Sequence, residues 1–412
     1  MAVVRLVSDF RAVDAQPPAA HAGILSRTFC AWMPAMDTKH QLSLLTVVEG
    51  EREEEPPRQR NARRSAATDF HPCTDAQYQL FSTFLGAAPE ELSNVLQLYD
   101  SIPKFSVSAR RQALMRNAKG GLEPFDHSFV HHEIVNGVRE SRTCRIQLHP
   151  AMVKRDAGWI HVFPSVDEEL VSEVLLKFFS DANHGEHSSE KRESTVYFTL
   201  RGVARELQAR GKTRSLVQIR QSIEILAQTH MRLFVGDLKK PVYDANLLAD
   251  VARVEARQVE VDPDATWAVR LPVLVSEAVN QLRYRQINFV KLLELSSPLA
   301  RWLYRRLSVS YFNASLAHPY SIRFAAVQRD SALLDHSRFS SNRSLLEKAL
   351  DELVHARMLL SWHIIETMKE GRRFVDLRYS LQAHPGFVAE MKAANARSRG
   401  VCLHAVPPAP RG

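Results

Sequence analysis

One plan of elements occurs twice in this chain, from Ser194 to Gly236 and again from Tyr320 to Ile365, and a repeat of that kind confines the fold more than composition does. In the first copy Thr195 to Thr199 reads as a strand and Arg201 to Arg210 as a helix. The turn Gly211-Lys212-Thr213-Arg214 follows, and Ser215 caps an amphipathic helix that runs to Thr229. In the second, Tyr320 to Phe324 is the strand, Ala325 to Leu334 a short helix, Asp335 to Arg338 the turn, and Ser340 to Arg357 a long helix. Each long helix precedes an apolar strand, Met231 to Val235 or Leu359 to Ile365, and the second turns through Lys369-Glu370-Gly371-Arg372 into the alternating run Phe374 to Tyr379. Strand, helix, turn, helix and hairpin in that order make a winged helix, so the expectation is an α+β chain with two tandem winged-helix domains. Such a helix-turn-helix presents its second helix to the major groove of DNA.

The flanking sequence sets the expected boundaries. Residues 1–95 carry Gln16-Pro17-Pro18-Ala19-Ala20, the charge block Glu51 to Glu55 and the basic run Arg58 to Arg64, and are expected to be a poorly ordered, largely disordered N-terminal region. A lead-in covers 96–145, the first winged-helix domain 146–285, the second 286–385, and a disordered tail 386–412 ending in Pro407-Pro408-Ala409-Pro410. Val166 to Asn183 is expected as an amphipathic helix under the first unit, and Ser296-Ser297-Pro298 as the cap of its counterpart in the second. Asn246 to Val261 and Thr266 to Leu271, around Asp262-Pro263-Asp264, suggest an extended first wing.

A formal charge of +8 favours an anionic partner, and its placement says more than its size. Arg201, Arg205, Arg210, Lys212, Arg214 and Arg220 face only Glu206 within one helix-turn-helix. Cys30, Cys73, Cys144 and Cys402 have neither zinc-ligand nor disulfide-framework spacing, so a reducing cytoplasm is the expected location. Charges interrupt the N-terminal stretch where a signal peptide needs an apolar core, and no run reaches the ~20 apolar residues of a membrane span. No cofactor, metal or membrane is expected as a partner.

The candidate DNA-binding residues fall on two helices and their turns. In the first unit Lys212 and Arg214 are placed to meet phosphate, while Gln218 and Gln221 project opposite the apolar stripe Leu216, Ile219, Ile223 and Leu226 as base readers, since glutamine pairs bidentately with adenine. In the second, Ser340, Ser341, Ser344 and Lys348 lie opposite Leu345, Leu346, Ala349, Leu350 and Leu353, flanked by Arg338 and Arg343 as phosphate clamps. Ser340 and Ser341 fit a helix-capping role equally well.

No catalytic constellation competes with that reading. Gly211-Lys212-Thr213 imitates a phosphate-binding loop, but Glu206 stands where the motif needs glycine, and the segment follows a helix instead of a strand. His131-His132-Glu133 and His184-Gly185-Glu186-His187 lack metal-site spacing and read as surface histidines, and Tyr197, Tyr243 and Tyr304 read as core. The chain is therefore not expected to be an enzyme.

Two runs carry a family resemblance. "ARELQARGKTRSLVQIRQSIEILAQTHMRLF" after its strand, and "LLELSSPLARWLYRRLSVSYF" with the following "YSIRFAAVQRDSALLDHSRFSSNRSLLEKALDELVHARML", resemble plasmid replication initiators of the TrfA and RepA type over roughly 145–380. The resemblance implies binding to repeated origin sequences called iterons, melting of adjacent AT-rich DNA, and recruitment of the host initiator and replicative helicase. It also implies a monomer to dimer switch carried by the first winged domain, and no nuclease activity. The alternatives are a winged-helix transcriptional repressor with no origin-opening activity and a rolling-circle nicking enzyme.

Overall fold

The computed structural model describes residues 75–84, 91–118, 120–135, 138–155, 158–253 and 265–405, all within one compact unit spanning Ala67–Gly412. The expected disorder of 1–74 and of 406–412 lies outside the described residues.

The chain enters through α1 (Ala76–Ser82), β1 (Leu92–Leu96), α2 (Gln97–Ser101) and α3 (Ala109–Met115). Asp75 starts α1 by accepting the Gln77 and Tyr78 amides at 3.0 and 3.2 Å, and Tyr78 and Phe81 are buried. The stretch 75–95 is thus partly core, where disorder was expected. A long hairpin follows, β2 (Phe125–Val135) and β3 (Val138–His149), then a short one, β4 (Ala151–Arg155) and β5 (Gly158–Val162).

The first winged unit comprises α4 (Val166–Phe179), β6 (Gly185–Ser188), β7 (Glu193–Thr199), α5 (Leu200–Ala209), α6 (Leu216–Gln228), β8 (His230–Val235), β9 (Tyr243–Asn246), β10 (Asp250–Arg253) and β11 (Thr266–Arg270), and α7 (Val273–Asn280) closes it. Helix, turn and helix lie where the spacing predicts. Gly211, at φ +68°, makes the turn in the left-handed region that a side chain resists. Two features differ from expectation. The helix α4 is buried on nearly every side, Glu168, Glu169, Glu173 and Lys177 included, because it is packed against α5 and α6 and linked through its carboxylates to the second unit. And β8 does not join β7: β7 pairs with β6 and β11, while β8 is taken up by β3, with Cys144 opposite Val235 and His149 opposite His230. The supposed lead-in is therefore integral to the first unit, with Ile102, Val107, Phe125, Phe129 and Cys144 in its core.

The second unit comprises β12 (Tyr284–Asn288), α8 (Phe289–Glu294), α9 (Pro298–Ser310), β13 (Tyr320–Arg323), α10 (Phe324–Ser331), α11 (Phe339–His355), β14 (Leu359–Glu370) and β15 (Arg373–Ala383), with α12 (Pro385–Ala405) after it. Ser297 caps α9 by accepting the Ala300 amide at 3.4 Å, with Pro298 at the first helical position. The sheet order β13-β15-β14 is that of a winged helix, and its wing turns at Gly371. α10 stops three residues short of the predicted end because Ala332 adopts a left-handed conformation. Strand β12 pairs with β1, Leu92 opposite Asn288, so the expected boundary at 285/286 falls inside a paired strand.

The segment 386–405, expected as disordered tail, is helical. Phe387, Val388, Met391 and Ala394 are buried at helical spacing, and Arg397 is buried where it donates to the Asn94 side chain and to the carbonyls of Leu80 and Phe81. The C-terminal helix thereby clamps the N-terminal elements.

Candidate nucleic-acid interface

In the second unit the face of α11 is open. Ser340, Ser344 and Lys348, spaced four residues apart, are exposed in one row, and Arg338 is exposed just ahead of them. Neither Ser340 nor Ser341 caps the helix. The N-cap position is Arg338, without a side-chain bond, and Asn342 closes the turn instead by accepting the His336 amide at 2.9 Å and donating to the His336 carbonyl at 2.8 Å. The half-buried Ser341 and the exposed Ser340 keep their hydroxyls for other partners. Arg343 does not stand free: its Nε donates to Glu347 at 2.8 Å, and that hydrogen bond is the first cause of its raised basicity.

The wing stands beside this face. Phe374 stacks on Phe339, in the first turn of α11, at 6.2 Å with rings 8° from parallel, and Lys369 lies over the Phe374 ring at 4.6 Å. Lys369, Arg372 and Arg373 are exposed there, so five basic side chains, with Arg338 and Lys348, border one helix-plus-wing surface. The wing arginines were absent from the sequence-based candidates; the charge of the turn 369–373 was the signal that pointed to them.

In the first unit, by contrast, the candidates are engaged within the protein. Arg214 grips Asp167 of α4 through Nε at 2.8 Å and Nη2 at 2.7 Å, with Nη1 on the Thr213 carbonyl. Gln218 is exposed but serves a capping box, its amide oxygen accepting the Ser215 N–H at 2.8 Å while Ser215 Oγ accepts the Gln218 N–H at 3.2 Å. Gln221 is half-buried and accepts from Arg155 of the β4–β5 hairpin, a neighbour no local pattern announced. Lys212 is half-buried, and its basicity is lowered by burial and then by Arg301, with Glu352 opposing, so it sits toward the second unit. Arg214, Gln218 and Gln221 thus hold partners within the free protein, while Arg201 and Arg205 of α5 and Val217 of α6 are exposed.

The histidine clusters are not surface groups as expected throughout. His131 and His187 are buried, His131 bonded to Ser101 at 3.0 Å and His187 to Ser194 and Asn280 at 2.9 Å each. Burial pushes the His131 imidazole down to about 3, so it stays neutral. Among the described residues no group of three or more His, Cys, Asp or Glu side chains could hold a metal ion, and no helix is long and apolar enough to cross a membrane. Tyr243 and Tyr304 are core residues.

Fold and surface together define an α+β protein of two winged-helix units, the second presenting a basic helix-and-wing face. No family model matches the sequence, and no curated protein matches it. Among solved structures the chain is similar to a crystal structure of domains 2 and 3 of RctB, at 14% identity over 72% of this chain and 99% of that one, with a TM-score of 0.38. It is similar to the Pi initiator protein in complex with iteron DNA, at 15% identity over 53% of this chain and 91% of that one, TM-score 0.37. A second structure of RctB domains 2–3 aligns at 13% identity over 66% and 95%, TM-score 0.34.

Proposed function

We propose that this protein is a non-enzymatic plasmid replication initiator that binds repeated origin sequences, the iterons, as double-stranded DNA in the cytoplasm. The observation that carries the reading is the α11 face: small hydroxyls at Ser340 and Ser344 allow close approach to base edges, while Arg338, Lys348, Lys369, Arg372 and Arg373 border it where phosphates would pass. The resemblance of "LSSPLARWLYRRL" and the segment after it to replication initiators supports the choice of initiator over repressor. On that reading the bound protein promotes origin opening, recruits the host initiator and replicative helicase, and passes between monomer and dimer.

The test is replication of a plasmid carrying only the origin-proximal repeats in cells that supply this protein, together with footprinting on those repeats. Establishment of the plasmid, lost in a Lys348→Ala and Arg338→Ala double variant, is the expected result. Protected repeats without plasmid establishment would make the protein a repressor, and nicking of supercoiled DNA in the presence of magnesium would make it a nicking enzyme.

A further inference from the structure

The contact between α4 of the first unit and α9 of the second is built from buried charge. Glu169 accepts from Arg301 Nη2 at 2.6 Å and from Arg305 Nη2 at 2.7 Å, and Glu173 accepts from Arg305 Nη1 at 2.6 Å. None of these four side chains is more than 9% exposed. The free sides of the network are bounded by Lys104 and Asp100, 3.7 Å apart and also buried. Beside it Asp330 of α10, 1% exposed, accepts the Val130 amide of β2 at 2.9 Å and Arg306 Nη2 at 3.2 Å.

Both partner helices are tied to the second helix of their own unit's helix-turn-helix. Within the first unit α4 is linked to α6 by Glu168, which accepts from Ser222 Oγ at 2.9 Å, and to the turn before α6 by Asp167 and Arg214. Within the second, α9 is linked to α11 by Glu352, which accepts from Ser296 Oγ at 2.8 Å and from the Ser297 amide at 3.2 Å. The path α6–α4–α9–α11 is therefore continuous, and its middle joint is ionic. Apolar attraction is non-directional, so an apolar joint sets its register through the shape of the packed side chains alone. A buried ion pair does not, since a displacement that separates the partners strands each charge in a medium of low polarity.

Resting on the DNA-binding reading above, we propose that Glu169, Glu173, Arg301 and Arg305 are positioning residues that fix the separation and angle of α6 and α11, so that the protein measures the spacing between two DNA half-sites. The stability of the joint is secondary, since apolar residues of similar volume hold such an interface about as well; on this proposal the ionic pairing is what selects its register.

The experiment uses the full chain and a duplex enriched from a random-sequence pool by the wild-type protein, with variants of that duplex carrying insertions of one, two or five base pairs between its half-sites. One protein variant, Glu169→Leu, Glu173→Leu, Arg301→Met and Arg305→Met together, removes the charges without stranding any of them. A second, Glu173→Gln, removes one ionisable partner of Arg305 and remains readable if the fourfold variant fails to fold. A parallel measurement takes the distance distribution in the free protein between spin labels on non-canonical residues at exposed Gln228 and His355.

For the wild type a one- or two-base-pair insertion is expected to weaken binding by roughly tenfold or more, as the second contact ceases to be intramolecular. The fourfold variant should lose little on insertion and show a broadened distance distribution, with Glu173→Gln between the two. Spacing profiles that match the wild type, or distances that stay narrow in both variants, would overturn the proposal while leaving the DNA-binding reading in place. A wild type with no preferred duplex, or one indifferent to all insertions, would overturn that reading and the ruler with it.

Discussion

Arg214 and Arg338 occupy the same place in the repeated plan, a basic residue just before the second helix of the helix-turn-helix, yet they differ in what surrounds them. Arg214 is held by Asp167, whereas Arg338 is exposed. The distinction was illegible in the sequence because the partner lies 47 residues upstream on another helix. On the DNA-binding reading, Arg338→Ala, Lys348→Ala and Arg372→Ala should each lower the log-log salt slope of DNA binding by roughly 0.9, the signature of one lost phosphate contact. Arg214→Ala and Arg343→Ala should change it less, because those side chains are spent on Asp167 and Glu347. Titrations across salt concentration decide this, and an Arg214→Ala slope as shallow as that of Arg338→Ala would reverse the assignment. A second residue-scale prediction concerns Glu173, which faces Arg305, Asp100, Glu169 and Lys104. Burial pushes its carboxyl up to about 7 against the pull of Arg305. Since the folded value lies above the unfolded one, the folded state holds the proton more tightly. Its stabilising contribution is thus full below about 4.5 and lost as pH rises through about 7. Glu169 behaves oppositely: burial alone would raise its carboxyl, but Arg301 and Arg305 draw it down to about 2, so its contribution is present above 4.5 and lost as pH falls toward 2. Glu173→Gln should flatten the decline in stability between pH 4.5 and 7, a difference on the order of a few kcal/mol. Urea unfolding at a series of pH values measures it, and an unchanged slope would show that Glu173 does not titrate in that window.

At the scale of elements, what the sequence reveals depends on how local the determining force is. The helices α5, α6, α9 and α11 were legible because their apolar faces repeat within the element and Ser215 and Ser297 cap two of them. The helix α12 was hidden because its run Met391 to Gly400 is rich in alanine, lysine and arginine and reads as solvated tail. Its order comes from a distant surface, with Arg397 inserted against Asn94 and the α1 carbonyls and Phe387 packed near Tyr304. Phe387→Ala should accordingly cost about 3–5 kcal/mol, the usual price of emptying a buried aromatic site. The check is denaturant unfolding; a loss below about 1 kcal/mol, the range of surface substitutions, would mean that α12 docks loosely. At the other end, a chain starting at 75 retains α1 and β1, while one starting at 97 loses Tyr78, Phe81 and the strand opposite β12. The longer truncation should lower the melting temperature well below the shorter one.

At the scale of the whole molecule, the two winged units are legible and their borders are not. Borders drawn at 145/146 and 285/286 follow the local pattern, but the first cuts β3 between Arg145 and Ile146, in the middle of its pairing with β2 and β8. The second cuts β12 between Arg285 and Gln286, in the middle of its pairing with β1. Sheet partners lie far apart in sequence, so nothing within either segment marks the strand it needs. Separation would also divide Glu169 and Glu173 from Arg301 and Arg305, and breaking a buried pair by removing one side costs about 3–5 kcal/mol. That is a large share of the 5–15 kcal/mol by which a domain is ordinarily stable. Fragments 146–285 and 286–385 are therefore expected to lack fixed tertiary structure, showing little near-ultraviolet circular dichroism and no sharp melting transition. The chain 75–405 is expected to unfold in one calorimetric transition with equal van't Hoff and calorimetric enthalpies, because neither unit keeps its sheet partners or its counter-charges without the other. Two resolved transitions, or a fragment 286–385 that melts cooperatively by itself, would show that the interface is an addition to two self-sufficient domains.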